Sequence, residues 1–157
     1  MKMGAIRQFL SEAEWGELNY LVLDLPPGTG DETLDILQLI DDAHMVIVTT
    51  PQDVALLDSR KTVNMSKVMK RDILGIVENM AGFQCPHCGK PVDLFGSGGG
   101  EKAAEALKVP FLGRIPFEID VRVQGDSVTP FIIEHPDSVS GKAFEQIVEK
   151  IVKNFEK

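Results

Sequence analysis

Cysteine is scarce in this chain: there are two, three positions apart. Such a pair is no disulfide framework. Long apolar runs are missing too. No stretch reaches the roughly 18 residues that cross a bilayer, so a membrane span is not expected. Basic residues are outnumbered, 16 Lys and Arg against 24 Asp and Glu, for a formal charge of −8. A nucleic-acid binder usually carries a basic face, so that class is disfavoured. Met1 to Gln8 contain no apolar h-region, which predicts a chain without a secretory signal and a cytoplasmic setting. No internal repeat appears at periods of about 20–50 residues. No Ser, His and Asp set stands at a specific catalytic spacing.

What is present is ordinary for a globular chain. The 157 residues are 43% hydrophobic and 25% charged, which excludes a disordered tail, a collagen and a coiled coil. At 17.3 kDa, a compact fold has about 7,800 Å² of accessible surface and buries roughly 69% of the unfolded surface. One domain over 1–157 is the expectation.

Short, nearly continuous apolar runs lie at 19–25, 45–50, 73–77 and 110–115. Such runs read as strands buried on both faces, in a parallel sheet covered by helices. Helical patterns alternate with them at 31–40, with Asp31 as N-cap, at 53–70 and at 101–108. The clearest helix has Ala143, Phe144, Ile147, Val148, Ile151, Val152 and Phe155 on one stripe. Strand–helix alternation predicts a layered α/β fold with right-handed crossovers. Two segments break the rhythm. Residues 78–100 hold both cysteines and six glycines, and 116–138 read as an irregular return.

Asp24-Leu25-Pro26-Pro27-Gly28-Thr29-Gly30-Asp31 follows the first run and opens a helix. Ligands of open parallel sheets bind beyond the carboxyl ends of strands. An acid there can hold Mg²⁺ through its water shell, and glycines let amides approach a phosphate. A tight strand-to-helix turn accounts for the same residues.

Cys85-Pro86-His87-Cys88-Gly89 is the sharpest chemical motif. Two thiolates at this spacing can grip one Zn²⁺ or part of an iron–sulfur cluster. Two cysteines supply half of a tetrahedral set, so two chains related by a two-fold axis would supply four. The string also occurs in thiol–disulfide oxidoreductases, where a helix N-terminus activates the first cysteine; Pro91 would interrupt such a helix. Inert cysteines are the third reading. His87 is crowded between the thiols and reads as solvent-facing. His44 reads as a helix-end residue and His135 as exposed. Trp15 and Tyr20 read as packing residues around the first strand. Glu78 and Asp93 read as part of a solvated acidic face.

Six strings in order carry a resemblance: DLPPGTGDE from Asp24, TTPQDVAL from Thr49, ENM from Glu78, CPHC from Cys85, FGSGGGEKAA from Phe95 and PFLGRIPF from Pro110. The chain resembles the Mrp/ApbC family of iron–sulfur cluster carrier ATPases, within the deviant-Walker group of P-loop proteins that includes MinD. The resemblance implies that Asp24 sits near Mg²⁺ as a catalytic switch II residue and that Gly28 faces the γ-phosphate. It implies that Asn79 contacts the adenine base of ATP and that Pro116 borders it. It implies that Cys85 and Cys88 hold a 4Fe–4S cluster between the subunits of a homodimer, with apo iron–sulfur proteins as recipients. Zinc suits the same four thiolates and would replace iron in aerobic material. The expected fold is P-loop NTPase-like, with 78–100 as a metal and dimerisation segment; the alternative function is a non-catalytic, metal-bridged dimerisation or scaffold module.

The family's P-loop, a GKGGVGK string followed by Ser or Thr, does not occur here. Gly89-Lys90 and Gly141-Lys142 lack the following hydroxyl. The Gly98-Gly99-Gly100 cluster lacks the spacing and reads as a flexible lead-in to a helix. In the family's group, the P-loop strand lies between the strands expected at 19–25 and 45–50. Its absence leaves two unpaired edges. Three outcomes are expected: the edges close on each other, a partner supplies the strand, or the chain is a piece of a longer protein. Without P-loop amides and lysine, little holds the β- and γ-phosphates, so negligible ATPase activity is expected of the chain alone.

Overall fold

The computed structural model describes residues 2–85, 87–125 and 129–155. Its centre is a three-stranded parallel sheet of β1 (His44–Thr49), β2 (Asp72–Glu78) and β5 (Phe111–Arg114), in the order β1-β2-β5. A two-stranded antiparallel hairpin, β3 (Phe83–Gln84) with β4 (Pro91–Val92), interrupts it. The helices are α1 (Lys2–Glu12), α2 (Asp31–Leu39), α3 (Asp53–Val68), α4 (Gly99–Leu107), α5 (Ile119–Gln124), α6 (Phe131–Glu134) and α7 (Val139–Phe155). Among the described residues, no helix is long and apolar enough to cross a membrane.

The core has two halves because the sheet has two faces. On one, Ile47, Val63, Ile76 and Ala104 are buried, with Ile73, Leu107, Val109 and Phe111 against them. Here α3 and α4 lie on the strands. On the other, Val77, Leu112, Ile115 and Ile147 are buried together, with Phe144 and Ile151. This is the apolar stripe of α7 laid over β5 and β2.

β1, at the edge of the sheet, is covered on one face only. Its buried residues are Met45, Ile47 and Thr49, and its other face bares Val46 and Val48, the latter 60% exposed. The expectation of burial on both faces therefore fails for β1, while β2 is buried from Leu74 to Glu78.

The run at 19–25 is not a strand, which corrects the sequence expectation. Residues 20–26 have no strand partner, and Val22 is 88% exposed. A strand's hydrogen bonds come from its neighbour, and none is present. The run does not close on β1 either, so among the described residues β1 keeps an unpaired outer edge. The accessible surface is 10,721 Å², against about 7,800 Å² for a compact chain of this mass. The bare face of β1 and the exposed stretch from Ser11 to Val22 contribute to the difference.

Smaller expectations are also corrected. The N-cap of α2 is Gly30, while Asp31 and Glu32 occupy the first turn, where the helix dipole favours acids. His44 opens β1 rather than ending a helix; its Nδ1 is 3.0 Å from Asp72 Oδ2, and its ring meets Phe155 edge-on. Trp15 and Tyr20 are largely exposed, although Tyr20 does touch the Phe155 ring at 5.5 Å. The return at 116–138 contains the short helices α5 and α6.

Candidate functional site

The carboxyl ends of the three parallel strands stand side by side. Beyond its last paired residue, β2 continues into Asn79, whose N–H donates to Thr49 O at 2.7 Å. Ile115 N–H donates to Glu78 O at 2.8 Å, and Ala81 N–H to Ile115 O at 3.0 Å. Asn79 and Pro116 are thus carried on neighbouring strand ends. Asn79 is half-buried, and its Oδ1 accepts the N–H of Met80 at 2.9 Å. That bond supports Met80 in the left-handed region, at φ +57°. Pro116 is half-buried, and its carbonyl accepts Ser140 Oγ–H at 3.1 Å.

Asp24 and Gly28 are not brought to these residues by any bond. Asp24 is exposed, and Gly28 turns the chain at φ +88° ahead of α2. Among the described residues, no hydrogen bond or ion pair ties either to a strand end. The cause is the unpaired run that precedes them.

The thiol pair sits in the turn between β3 and β4, not at a helix start. Cys85 N–H donates to Lys90 O at 3.0 Å, and Gly89 N–H to Cys85 O at 2.8 Å. Gly89 makes the turn at φ +67°, a conformation that costs glycine little. Both cysteines are free; Cys85 is half-buried and Cys88 exposed. His87 is exposed, as expected, and Pro86 lies outside the described residues. The backbone amides of Cys88 and His87, together with the Cys88 side chain, hydrogen-bond the Cys85 sulfur and hold its thiol below the ordinary value of 9.0. Among the described residues, no group of three or more His, Cys, Asp and Glu could hold a metal ion.

Glu78 is the residue that sequence reasoning misread. It is fully buried, at 0% exposure, and not part of a solvated face. Its Oε1 accepts Gly98 N–H at 2.9 Å and lies 3.3 Å from Arg114 Nε; its Oε2 accepts Gly100 N–H. Arg114 also pairs with Glu101. The glycine cluster is accordingly a close-packed helix start, not a flexible lead-in. A Cβ on Gly100 would come 2.9 Å from Glu78 Cβ, and one on Gly99 would overlap the Pro51 carbonyl. The available signal was an acid ending a strand some twenty residues before three glycines.

Known proteins resemble this chain closely. Over residues 1–152 it matches the ParA-type family described as NUBPL iron-transfer P-loop NTPase. It is 52% identical over 154 residues to the iron–sulfur cluster carrier protein of Methanocaldococcus jannaschii, covering 98% of this chain and 52% of that one. It is 49% identical over 152 residues to the carrier protein of the same description from Synechocystis, covering 96% and 43%. The chain thus spans about half the length of the curated relatives it matches. Among solved structures, a nucleotide-binding protein of Archaeoglobus fulgidus in complex with ADP superposes with a TM-score of 0.70 at 44% identity, over 79% of this chain and 51% of that one. The cell division ATPase MinD of Pyrococcus furiosus superposes at 0.69 over 96% and 56%; at 22% identity this likeness speaks to the fold alone. Sequence strings, sheet order and these likenesses agree: the chain belongs to the NUBPL iron-transfer P-loop NTPase family.

Proposed function

We propose that the chain carries an iron–sulfur cluster as cargo, gripped by Cys85 and Cys88 together with the same pair of a second copy. One observation supports this most: two free thiols in a hairpin turn, with amides bonded to the Cys85 sulfur. Amide donors favour the thiolate, which is the form that binds metal. Two thiolates are half of a four-ligand set, so the other half comes from a partner chain. Segment 78–100 then acts as the metal and dimerisation segment of a single domain. Aerobic material carries Zn²⁺ on the same four sulfurs.

On this reading the chain serves apo iron–sulfur proteins in the cytoplasm. Asn79 and Pro116 border the nucleotide base, while Asp24 and Gly28 act as switch II residues near Mg²⁺ and the γ-phosphate. ATP binding and hydrolysis then need P-loop amides and a lysine that this sequence does not contain.

The test is native mass spectrometry of the chain purified without oxygen, beside a Cys85→Ser control. A dimer carrying one cluster or metal, lost in the control, is the expected result. A metal-free monomer, or a metal that persists in the control, overturns the proposal.

A further inference from the structure

The chain leaves the sheet after Glu78, at the end of β2, and returns at Gly98, the N-cap of α4. The thiol pair lies near the middle of this excursion, in the turn between β3 and β4. Its outgoing limb is fastened to the segment after β5: Ala81 N–H donates to Ile115 O, Phe117 N–H donates to Gly82 O at 2.9 Å, and the Phe83 ring meets Phe117 edge-on. The returning limb meets the same ring through Phe95 at 6.2 Å. The two ends of the excursion are joined by one side chain, Glu78, through its bonds to Gly98 and Gly100.

An ionised carboxylate suits this place because it only accepts hydrogen bonds. Two amides and the Arg114 guanidinium converge on it from the returning end and from β5. A glutamine of the same size would turn an NH₂ group toward one of these donors. Gly100 has no Cβ that would push the amide off the carboxylate. Arg114 then braces Glu78 from outside, half-exposed and shared with Glu101.

We propose that Glu78 is a positioning residue for the cysteine pair: its buried carboxylate closes the base of the excursion and sets where Cys85 and Cys88 stand relative to Asn79 and Pro116. The functional consequence rests on the cargo reading above; the clasp itself does not. Loss of the clasp frees the returning limb while the sheet stays intact.

The experiment compares the wild-type chain with Glu78→Gln and Arg114→Ala. Hydrogen–deuterium exchange on the metal-free proteins comes first, then titration with Co²⁺ as the probe, read by its thiolate charge-transfer absorption. Removing one charged hydrogen bond should speed exchange of the hairpin amides between 82 and 95 about tenfold in Glu78→Gln, with β1 and β2 at wild-type rates. Arg114→Ala should shift the same amides by less. The Co²⁺ absorption should keep its position while its midpoint rises about tenfold in Glu78→Gln, the same loss read through binding. Unchanged hairpin exchange in both variants overturns the clasp. So does an equal rise in β1 and β2, which would make Glu78 a core residue only. If Glu78→Gln fails to fold, Arg114→Ala at an exposed position carries the same test. No Co²⁺ binding by the wild type, with the hairpin loosened in the variants, overturns the cargo reading and leaves the clasp. Equal Co²⁺ binding by all three with an unchanged hairpin does the reverse.

Discussion

Asn79 hangs its backbone N–H on the carbonyl oxygen of Thr49, 2.7 Å away, one residue past the last paired position of β1 and β2. The bond holds two strand ends together where the chain leaves the sheet. It also leaves the Asn79 side chain to do something else, and that side chain caps the left-handed Met80.

A turn role and a base-contacting role for Asn79 therefore predict different mutants. Asn79→Ala removes the acceptor for Met80 N–H and should cost about 1 kcal/mol, read as a lower denaturation midpoint. Asn79→Asp keeps an acceptor oxygen but loses the amide donors, so its midpoint should stay near wild type. If the side chain also reads a base, Asn79→Asp should still weaken binding of an adenine nucleotide by a chain competent to bind one. A wild-type midpoint in Asn79→Ala would contradict the turn role.

The Cys85 thiol predicts a pH dependence with a definite sign. Its folded pKa lies below the ordinary 9.0 because amides of Cys88 and His87 favour the thiolate. A group depressed in the fold contributes stability above its unfolded value and loses it as pH falls through the folded value. The metal-free wild type should therefore gain stability over Cys85→Ser as pH rises toward 9.0, with the gap closing at lower pH. Alkylation should label Cys85 before Cys88 at neutral pH. Equal labelling rates, or a gap that widens on acidification, would refute the sign.

The two faces of β1 should respond differently to substitution. Ile47 is buried with Val63, Ile76 and Ala104, so Ile47→Ala should cost about 2–4 kcal/mol in chemical denaturation. Val48 stands on the bare face, so Val48→Thr should stay within about 0.5 kcal/mol of wild type. Comparable losses at both positions would mean that something covers that face in solution.

Asp24 is exposed and makes no described hydrogen bond or ion pair. With millimolar ATP and Mg²⁺, phosphate release by the chain alone should stay at background, and Asp24→Ala should change nothing. Steady turnover abolished by Asp24→Ala would show that the phosphate site assembles without a P-loop.

Much of this fold is legible in the amino-acid order. The helices α2, α3, α4 and α7 and the strands β1, β2 and β5 fall where local apolar stripes and runs predict them, although β1 buries only one face of its run. The segment at 19–25 has the same composition and fails, because a strand also needs hydrogen bonds from elsewhere in the sequence. Glu78 was misread for a related reason. Its partners, Gly98, Gly100 and Arg114, lie 20 to 36 positions away, and no local pattern announces that an acid is buried. The site strings were readable one by one. That Asn79 and Pro116 are carried on neighbouring strand ends, with no described bond tying Asp24 to either, is a property of the sheet, not of the strings.

The outer edge of β1, unpaired among the described residues, also predicts a physical state that depends on concentration. A row of unused N–H and C=O groups beside the bare side chains of Val46 and Val48 is a template for any extended segment that collides with it. Collisions between copies rise with the square of concentration, so association through this edge is expected in concentrated samples and not in dilute ones, as light scattering over a dilution series would show.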